Sequence, residues 1–217
     1  MTQPSSSTWA ARIPLLATIA GAAGIGGLAL WRVLQTPIHS AIWMIAAILV
    51  YMAWMAWESR ISVAELDRPD SNYDRGTMEL AAVAKITTLI ACLVPYSEPS
   101  TMLAVPGLLL MSCGALFRIA AIRSLGNSYS HRIRPFVTLC SKGPYAWVRH
   151  PAYLGTWAVH LGIALVFCNL WALLSVALLW GSAVILRAWL EDRLLMQSTE
   201  YQTYARQVRY RLLPFVW

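Results

Sequence analysis

One polar stretch of this otherwise apolar sequence combines residue types that could bind a charged ligand. It has the sequence GPYAWVRHPAYLG and runs from Gly143 to Gly155. Pro151 disfavours a helical conformation for the residue before it, so we expect Arg149 and His150 to lie at a bend. Pro151 itself suits the first turn of a helix, where free N–H groups and the positive dipole end favour an anion. A basic juxtamembrane anchor with interfacial aromatic residues would show the same pattern, and composition alone favours that simpler interpretation.

A second group of polar residues lies near the end of the last apolar segment. Arg187 and Glu191 are four residues apart, so they share one face of a helix, and Asp192 follows them. An arginine within or beside an apolar segment is a candidate functional residue. An ordinary ion pair that reaches the lipid headgroups explains the pattern equally well. The basic tail beyond it ends in RLLPFVW and could fold back over this region as a lid.

The composition of the chain indicates a membrane protein. Of its 217 residues, 58% are hydrophobic and 12% are charged, whereas soluble domains carry about 25% charged residues. An ordinary soluble enzyme is therefore improbable, and a disordered chain is excluded. We expect the basic residues that give the net charge of +7 to lie in cytoplasmic loops beside anionic lipid. The charge is therefore weak evidence for nucleic-acid binding. The four cysteines form no C-x-x-C pair, so neither a disulfide framework nor a metal site is predicted.

The apolar segments predict the membrane architecture, because a spanning helix needs about 20 residues. Four segments have a suitable length: Ile13–Leu34, Ile38–Trp57, Leu80–Tyr96 and Met102–Ile122. Two more, Tyr153–Phe167 and Leu170–Trp189, are joined only by Cys168 and Asn169 and must form an antiparallel hairpin. Its first arm is about 22 Å long as a helix, too short to cross comfortably. We predict an all-α integral membrane protein with four full transmembrane helices and a C-terminal helical hairpin that need not cross fully.

The basic residues predict the orientation in the membrane. They concentrate between spans two and three, after span four and in the tail, whereas Ser97–Thr101 contains none. Because cytoplasmic loops carry the excess of Lys and Arg, both termini and the two long loops are expected in the cytoplasm. The two polar groups described above lie at the ends of one hairpin, which brings them together. Any chemistry is therefore expected to face the cytoplasm, in a loop and a C-terminal helix.

From about Leu125 onward, the sequence resembles the isoprenylcysteine carboxyl methyltransferases and their bacterial relatives, which are integral-membrane enzymes that use S-adenosylmethionine. The matching segments are LGNSYSH (125–131), VTLCSKGPYAWVRHPAYLG (137–155), FCN (167–169), RAWLEDRLL (187–195), YQTY (201–204) and LPF (213–215). DRGT (74–77) also resembles a loop of bacterial members. R-H-P-x-Y-x-G alone is shared with phospholipid and thiol methyltransferases and with sterol reductases. The resemblance divides the chain into transmembrane helices (1–123) and a methyltransferase region (124–217).

The resemblance implies a binding site for S-adenosylmethionine, with S-adenosylhomocysteine as product. The cofactor-binding positions that it implies are Val137, Thr138, Leu139, Cys140, Tyr145, His150, Pro151, Ala152, Tyr153 and Glu191. In family members, an arginine four residues before this glutamate takes part in substrate binding and turnover. The resemblance therefore implies that Arg187 is the catalytic residue. His131 and Asn127 are further candidate substrate-binding residues. No metal is implied. The family usually has histidine at the position of Val137, and Asp192 replaces a second glutamate.

The implied function is methyl transfer from S-adenosylmethionine to a lipophilic acceptor, which is a small molecule or a lipid-linked substrate. A carboxylate acceptor needs no general base, and Arg187 could orient it. Phospholipid N-methylation and thiol S-methylation are alternatives, and these would need a base such as His131 or Glu191. A nicotinamide-dependent reductase and a non-catalytic membrane scaffold also stay open. The expected setting is the bacterial inner membrane, with membrane lipids and no nucleic acid as partners.

Overall fold

The computed structural model describes residue 21 and residues 23–64, 73–94, 98–134 and 139–217. For residues 62–64 it describes the backbone alone. These residues form seven helices and no strand. In chain order, the helices are α1 (Ala23–Leu34), α2 (Ile38–Ala64), α3 (Thr77–Leu93), α4 (Thr101–Leu125), α5 (Pro151–Val166), α6 (Leu170–Leu195) and α7 (Thr199–Gln207). A π-helical segment, Val176–Trp180, interrupts α6. The predicted all-α class is therefore confirmed.

Three of these helices are long and apolar enough to cross a membrane: Ile38–Ile61, Thr101–Ser128 and Leu170–Leu195. The first two contain the predicted spans two and four, and the third is the second arm of the predicted hairpin. The predicted third span forms α3, which has 17 residues. The predicted first span lies only partly within the described residues. The number of full spans therefore stays a prediction.

The hairpin between α5 and α6 is unequal in length and closes through a tight turn. Its first arm has 16 residues, as the short apolar segment predicted. Cys168 adopts a positive φ of 49°, and Asn169 caps α6 by accepting a hydrogen bond from Ala172 N at 3.2 Å. Asn169 Nδ2 also donates to Val94 O, just beyond α3, at 3.2 Å. The turn is therefore anchored to the neighbouring helix α3.

Glycines bring α4 and α5 into unusually close contact. A Cβ at Gly162 would lie 2.6 Å from Gly107 O, and one at Gly114 would lie 2.8 Å from Gly155 O. Only glycine permits this backbone approach, which is a common way to pack helices in membranes. By contrast, four glycines in and just before α1 have no described atom within 4 Å of an added Cβ; they are Gly21, Gly24, Gly26 and Gly27. The close packing thus fixes the start of α5 against α4.

A buried ion pair joins α2 to α4 close to the start of α5. Arg118 is 6% exposed and binds both carboxylate oxygens of Glu58, with Nη2 2.9 Å from Oε2. Its guanidinium also donates to Ala152 O and to the Tyr129 hydroxyl, each at 3.0 Å. A buried charge requires such pairing, because burial removes its hydration. Arg118 therefore links three helices and the loop after α4.

Candidate functional site

Asp192, near the end of α6, accepts hydrogen bonds from four side chains. Arg149 Nη1 and Arg211 Nε lie 2.8 and 2.6 Å from its Oδ2. His150 Nε2 and the Tyr201 hydroxyl lie 3.1 and 2.6 Å from its Oδ1. These partners come from the turn before α5, from α7 and from the tail. Asp192 therefore holds together the two ends of the hairpin, which the sequence predicted would meet.

His150 bridges two carboxylates. Its Nδ1 lies 3.3 Å from Glu191 Oε2, on the side opposite Asp192. Burial opposes protonation of the ring, but hydrogen bonds and charge from Asp192 and Glu191 outweigh it and raise the pKa of His150 to about 9. The imidazolium is therefore the main form at neutral pH. The Glu191 side chain is 29% exposed and the Asp192 side chain 4%, so only Glu191 presents an accessible carboxylate.

The C-terminal tail folds back onto the same turn. Arg149 N donates to Tyr210 O and His150 N donates to Arg211 O, each at 2.9 Å. Arg149 Nη2 also donates to Arg209 O at 3.1 Å. The tail therefore uses the backbone N–H groups of Arg149 and His150, so these two groups are not available to an anionic ligand. These hydrogen bonds hold the tail against the turn before α5.

A cavity of about 520 Å³, which we call the loop cavity, lies between this turn, the loop after α4 and α7. Its volume is within the range of small-molecule sites. The predicted cofactor-binding residues that line it are Leu139, Cys140, Tyr145, His150, Ala152, Tyr153 and Glu191. Pro151 is buried beside the cavity as the first residue of α5. Val137 and Thr138 lie outside the described residues.

Tyrosines form much of the wall of the loop cavity. Tyr204 donates its hydroxyl to Tyr145 O at 2.7 Å, which fixes the short helical turn at Gly143–Ala146. Burial raises the pKa of Tyr145, so its phenol stays protonated. Tyr153 stacks on His150 with ring centroids 5.6 Å apart. These rings can bind a cation or the flat face of a base.

A second cavity of about 560 Å³, which we call the membrane cavity, opens among α2, α3, α5 and α6. Trp54 and Met55 of α2, Lys85 of α3 and Trp180 of α6 contribute to its lining. Tyr129, Arg132 and Tyr153 line both cavities. Arg187 lines only the membrane cavity, and Glu191 lines only the loop cavity. Adjacent turns of α6 therefore face two different spaces that meet at Tyr153.

Arg187 is held by groups just before and at the start of α3 and by the loop after α4. Its Nη1 lies 3.2 Å from Asp74 Oδ1 and donates to Thr77 Oγ1 at 3.0 Å. Its Nη2 donates to His131 O at 2.6 Å, and its Cζ lies 5.6 Å from the centre of the Tyr153 ring. Arg187 is 4% exposed, and this pairing offsets the cost of its burial. The expected catalytic arginine thus already has a carboxylate partner.

The two candidate substrate-binding residues of the loop after α4 lie in different places. Asn127 lines the loop cavity, whereas His131 lines the membrane cavity. His131 Nδ1 is 3.4 Å from the Tyr129 hydroxyl, and its carbonyl binds Arg187. His131 therefore contacts the arginine through its backbone carbonyl.

Sequence reasoning assigned no role to three acidic residues that organise the site. Glu58 pairs with Arg118, Asp74 pairs with Arg187, and Asp192 collects four donors. The DRGT segment was a signal for Asp74, since it resembles a loop of bacterial family members. For Glu58 the only signal was a carboxylate at the end of an apolar helix.

Known proteins match this chain in sequence. Residues 107–197 match the sequence model of the isoprenylcysteine carboxyl methyltransferase (ICMT) family. Protein-S-isoprenylcysteine O-methyltransferase of Homo sapiens is 34% identical over 79 residues, which are 35% of this chain and 28% of the human protein. The Saccharomyces cerevisiae protein of the same name is 30% identical over 127 residues, 56% of this chain and 53% of its own length. A probable protein-S-isoprenylcysteine O-methyltransferase of Oryza sativa subsp. indica is 28% identical over 188 residues, 80% of this chain and 96% of that protein.

The fold also has a counterpart among solved structures. A structure of the eukaryotic intramembrane Ras methyltransferase ICMT superposes with a TM-score of 0.58 at 21% sequence identity, covering 90% of this chain and 75% of that one. Together with the apolar helices, this similarity identifies the chain as an integral membrane protein. The region matched by the family model includes the RHP turn and the end of α6. Over residues 107–197, this chain is therefore similar to the isoprenylcysteine carboxyl methyltransferase family.

Proposed function

We propose that this chain is an integral-membrane methyltransferase that moves the methyl group of S-adenosylmethionine to the carboxylate of a lipophilic acceptor. The observation that carries this proposal is the arrangement of α6. Glu191 faces the loop cavity, and Arg187, one turn away, faces the membrane cavity. A donor and an acceptor that occupied the two cavities would meet near Tyr153, which lines both.

The residues of the loop cavity fit S-adenosylmethionine, which supplies an electrophilic methyl group on a sulfonium. The faces of Tyr145 and Tyr153 can stabilise a sulfonium by about 0.5–2 kcal/mol. Glu191 presents its accessible carboxylate to the same space and can accept hydrogen bonds from an ammonium or from ribose hydroxyls. His150 and Asp192 hold Glu191 and the turn in place. Val137 and Thr138 complete the predicted set of binding residues.

The residues of the membrane cavity fit an anionic group on an apolar molecule. A carboxylate attacks without losing a proton, so orientation and the exclusion of water contribute most of the rate. Arg187 has five N–H donors, and its contacts with Asp74, Thr77 and His131 use only part of them. These contacts hold the guanidinium at the cavity wall, where the remaining donors can bind a carboxylate.

The predicted division of the chain has a functional meaning in this proposal. Residues 124–217 supply most of the loop cavity, whereas helices α2 and α3 of region 1–123 supply one wall of the membrane cavity. The first region would thus select the acceptor and the second would bind the cofactor.

Equilibrium binding to the detergent-purified protein tests the proposed activity. We expect S-adenosylhomocysteine to bind and NADPH not to bind, and N-acetyl-S-farnesyl-cysteine to be methylated. Binding of NADPH alone would indicate a reductase. Binding of neither ligand would support a non-catalytic scaffold.

We also propose that both termini and the loop cavity face the cytoplasm in a bacterial inner membrane. The excess of basic residues in the long loops supports this orientation. A cysteine introduced at the exposed Ser141 in a background without the native cysteines should react with an impermeant maleimide only after the cells are opened. Labelling from outside intact cells would contradict the orientation.

A further inference from the structure

Lys85 lines the membrane cavity and has two neutral partners. It is about 12 Å along α3 from Thr77, at 1.5 Å per residue, and so well inside the helix. Its Nζ donates to Met55 Sδ at 3.0 Å and lies 5.9 Å from the centre of the Trp54 ring. A thioether is a weak acceptor, and a ring face satisfies an amine only in part. The hydrogen-bonding capacity of Lys85 is therefore largely unused.

The carboxylates near this cavity do not pair with Lys85. Both oxygens of Glu58, which lines the same cavity, are bound by Arg118. Asp74 is paired with Arg187. Within the part of the chain that the structure describes, no Asp or Glu forms an ion pair with Lys85. An ionisable group inside a membrane protein usually has a polar partner or faces a ligand path.

Aromatic rings form part of the cavity lining beside Lys85. Trp54 and Trp180 are 4% and 6% exposed, and His160 between them is fully buried. His160 Nδ1 lies 2.8 Å from Thr156 O, so its ring is held by its own helix. A purely hydrocarbon chain in this cavity would leave the amine against apolar surface, which costs free energy. An oxygen atom on that chain would instead accept the unused hydrogen bonds.

We propose that the membrane cavity selects a lipophilic carboxylic acid with a second oxygen-bearing group within its apolar part, and that Lys85 binds this group. Suitable groups are a carboxylate, a carbonyl or a hydroxyl. The inference rests on the proposed methyl transfer at Arg187 and adds the class of acceptor. An isoprenyl chain carries no oxygen, so N-acetyl-S-farnesyl-cysteine would be accepted through its carboxylate at Arg187 but would leave Lys85 without this second contact.

Binding of paired acids to the S-adenosylhomocysteine complex tests the inference. The probes are saturated monocarboxylic acids and α,ω-dicarboxylic acids of the same chain lengths. For the wild-type protein, we expect one diacid length to bind about tenfold tighter than its monoacid, the scale of one hydrogen bond to a charged group. Lys85→Met should abolish this preference, and Lys85→Arg should keep most of it. The readout is the ratio of diacid to monoacid affinity within each variant.

Two controls separate the possible failures. Thr87→Met, an exposed position of α3 that does not line the cavity, should behave as wild type. S-adenosylhomocysteine affinity should be the same in all variants, and its absence in the wild type would refute the proposed function instead. A wild type without any preference for a diacid, or a Lys85→Met protein that keeps it, would overturn the role of Lys85. Equal loss of every probe in Lys85→Met would assign the lysine to stability alone.

Discussion

Replacing Arg187 should separate methyl transfer from cofactor binding. Arg187→Ala removes one cation from the lining of the membrane cavity and changes no lining residue of the loop cavity, although its guanidinium lies over the shared Tyr153 ring. We expect kcat/KM to fall by about 13- to 160-fold, because a charged hydrogen bond to the acceptor contributes about 1.5–3 kcal/mol. S-adenosylhomocysteine affinity should stay within about threefold, or ~0.7 kcal/mol.

The structure also predicts a cost in stability for this variant. Without the guanidinium, the Asp74 carboxylate, the Thr77 hydroxyl and the His131 carbonyl lose a buried partner. Removing one partner of a buried ion pair costs about 3–5 kcal/mol. Arg187→Lys is the matched control because it keeps a charge beside Asp74 but cannot reproduce the planar set of donors.

The assay combines methyl transfer to N-acetyl-S-farnesyl-cysteine with calorimetric binding of S-adenosylhomocysteine to the same preparation. Retained binding shows that an inactive variant is folded. Full activity of Arg187→Lys would refute a planar carboxylate clamp and favour an amine acceptor, as in phospholipid methylation. Loss of cofactor binding in both variants would assign Arg187 to the cofactor site and refute the division of α6 between two cavities.

Three further predictions concern the cofactor side and the packing. Glu191→Ala should weaken S-adenosylhomocysteine binding by about 1.5–3 kcal/mol, measured by calorimetry, and unchanged affinity in folded protein would rule out its proposed contact. The pKa of His150 is raised from 6.5 to about 9, so its protonation stabilises the fold fully below pH 6.5 and this contribution is lost as the pH rises through about 9. The Tm of wild type should therefore fall over this range more than that of His150→Gln, and parallel curves would contradict the assignment. Gly162→Ala should destabilise the fold by about 1–3 kcal/mol in thermal unfolding, because its Cβ would lie 2.6 Å from Gly107 O. Gly26→Ala, with nothing within 4 Å, is its control, and equal Tm values would show that the contact between α4 and α5 relaxes freely.

The sequence by itself determined the features that depend on short spacing. The unequal hairpin followed from two apolar segments separated by Cys168 and Asn169, since so short a connection permits only antiparallel arms. The bend before α5 followed from Pro151, which restricts the residue that precedes it. The shared face of Arg187 and Glu191 followed from the helical repeat of 3.6 residues. These are local consequences of backbone geometry.

Only the tertiary structure decided how these local features combine into a site. Asp192 meets Arg149 and His150 across the hairpin, and Arg187 meets Asp74 from the segment before α3. No spacing rule links residues so far apart along the chain; their contacts depend on how helices pack, and the glycines of α4 and α5 set that packing. The same packing opens two cavities on either side of Tyr153. Helical periodicity places Arg187 and Glu191 on one face, but only the surrounding helices direct one residue to the membrane cavity and the other to the loop cavity.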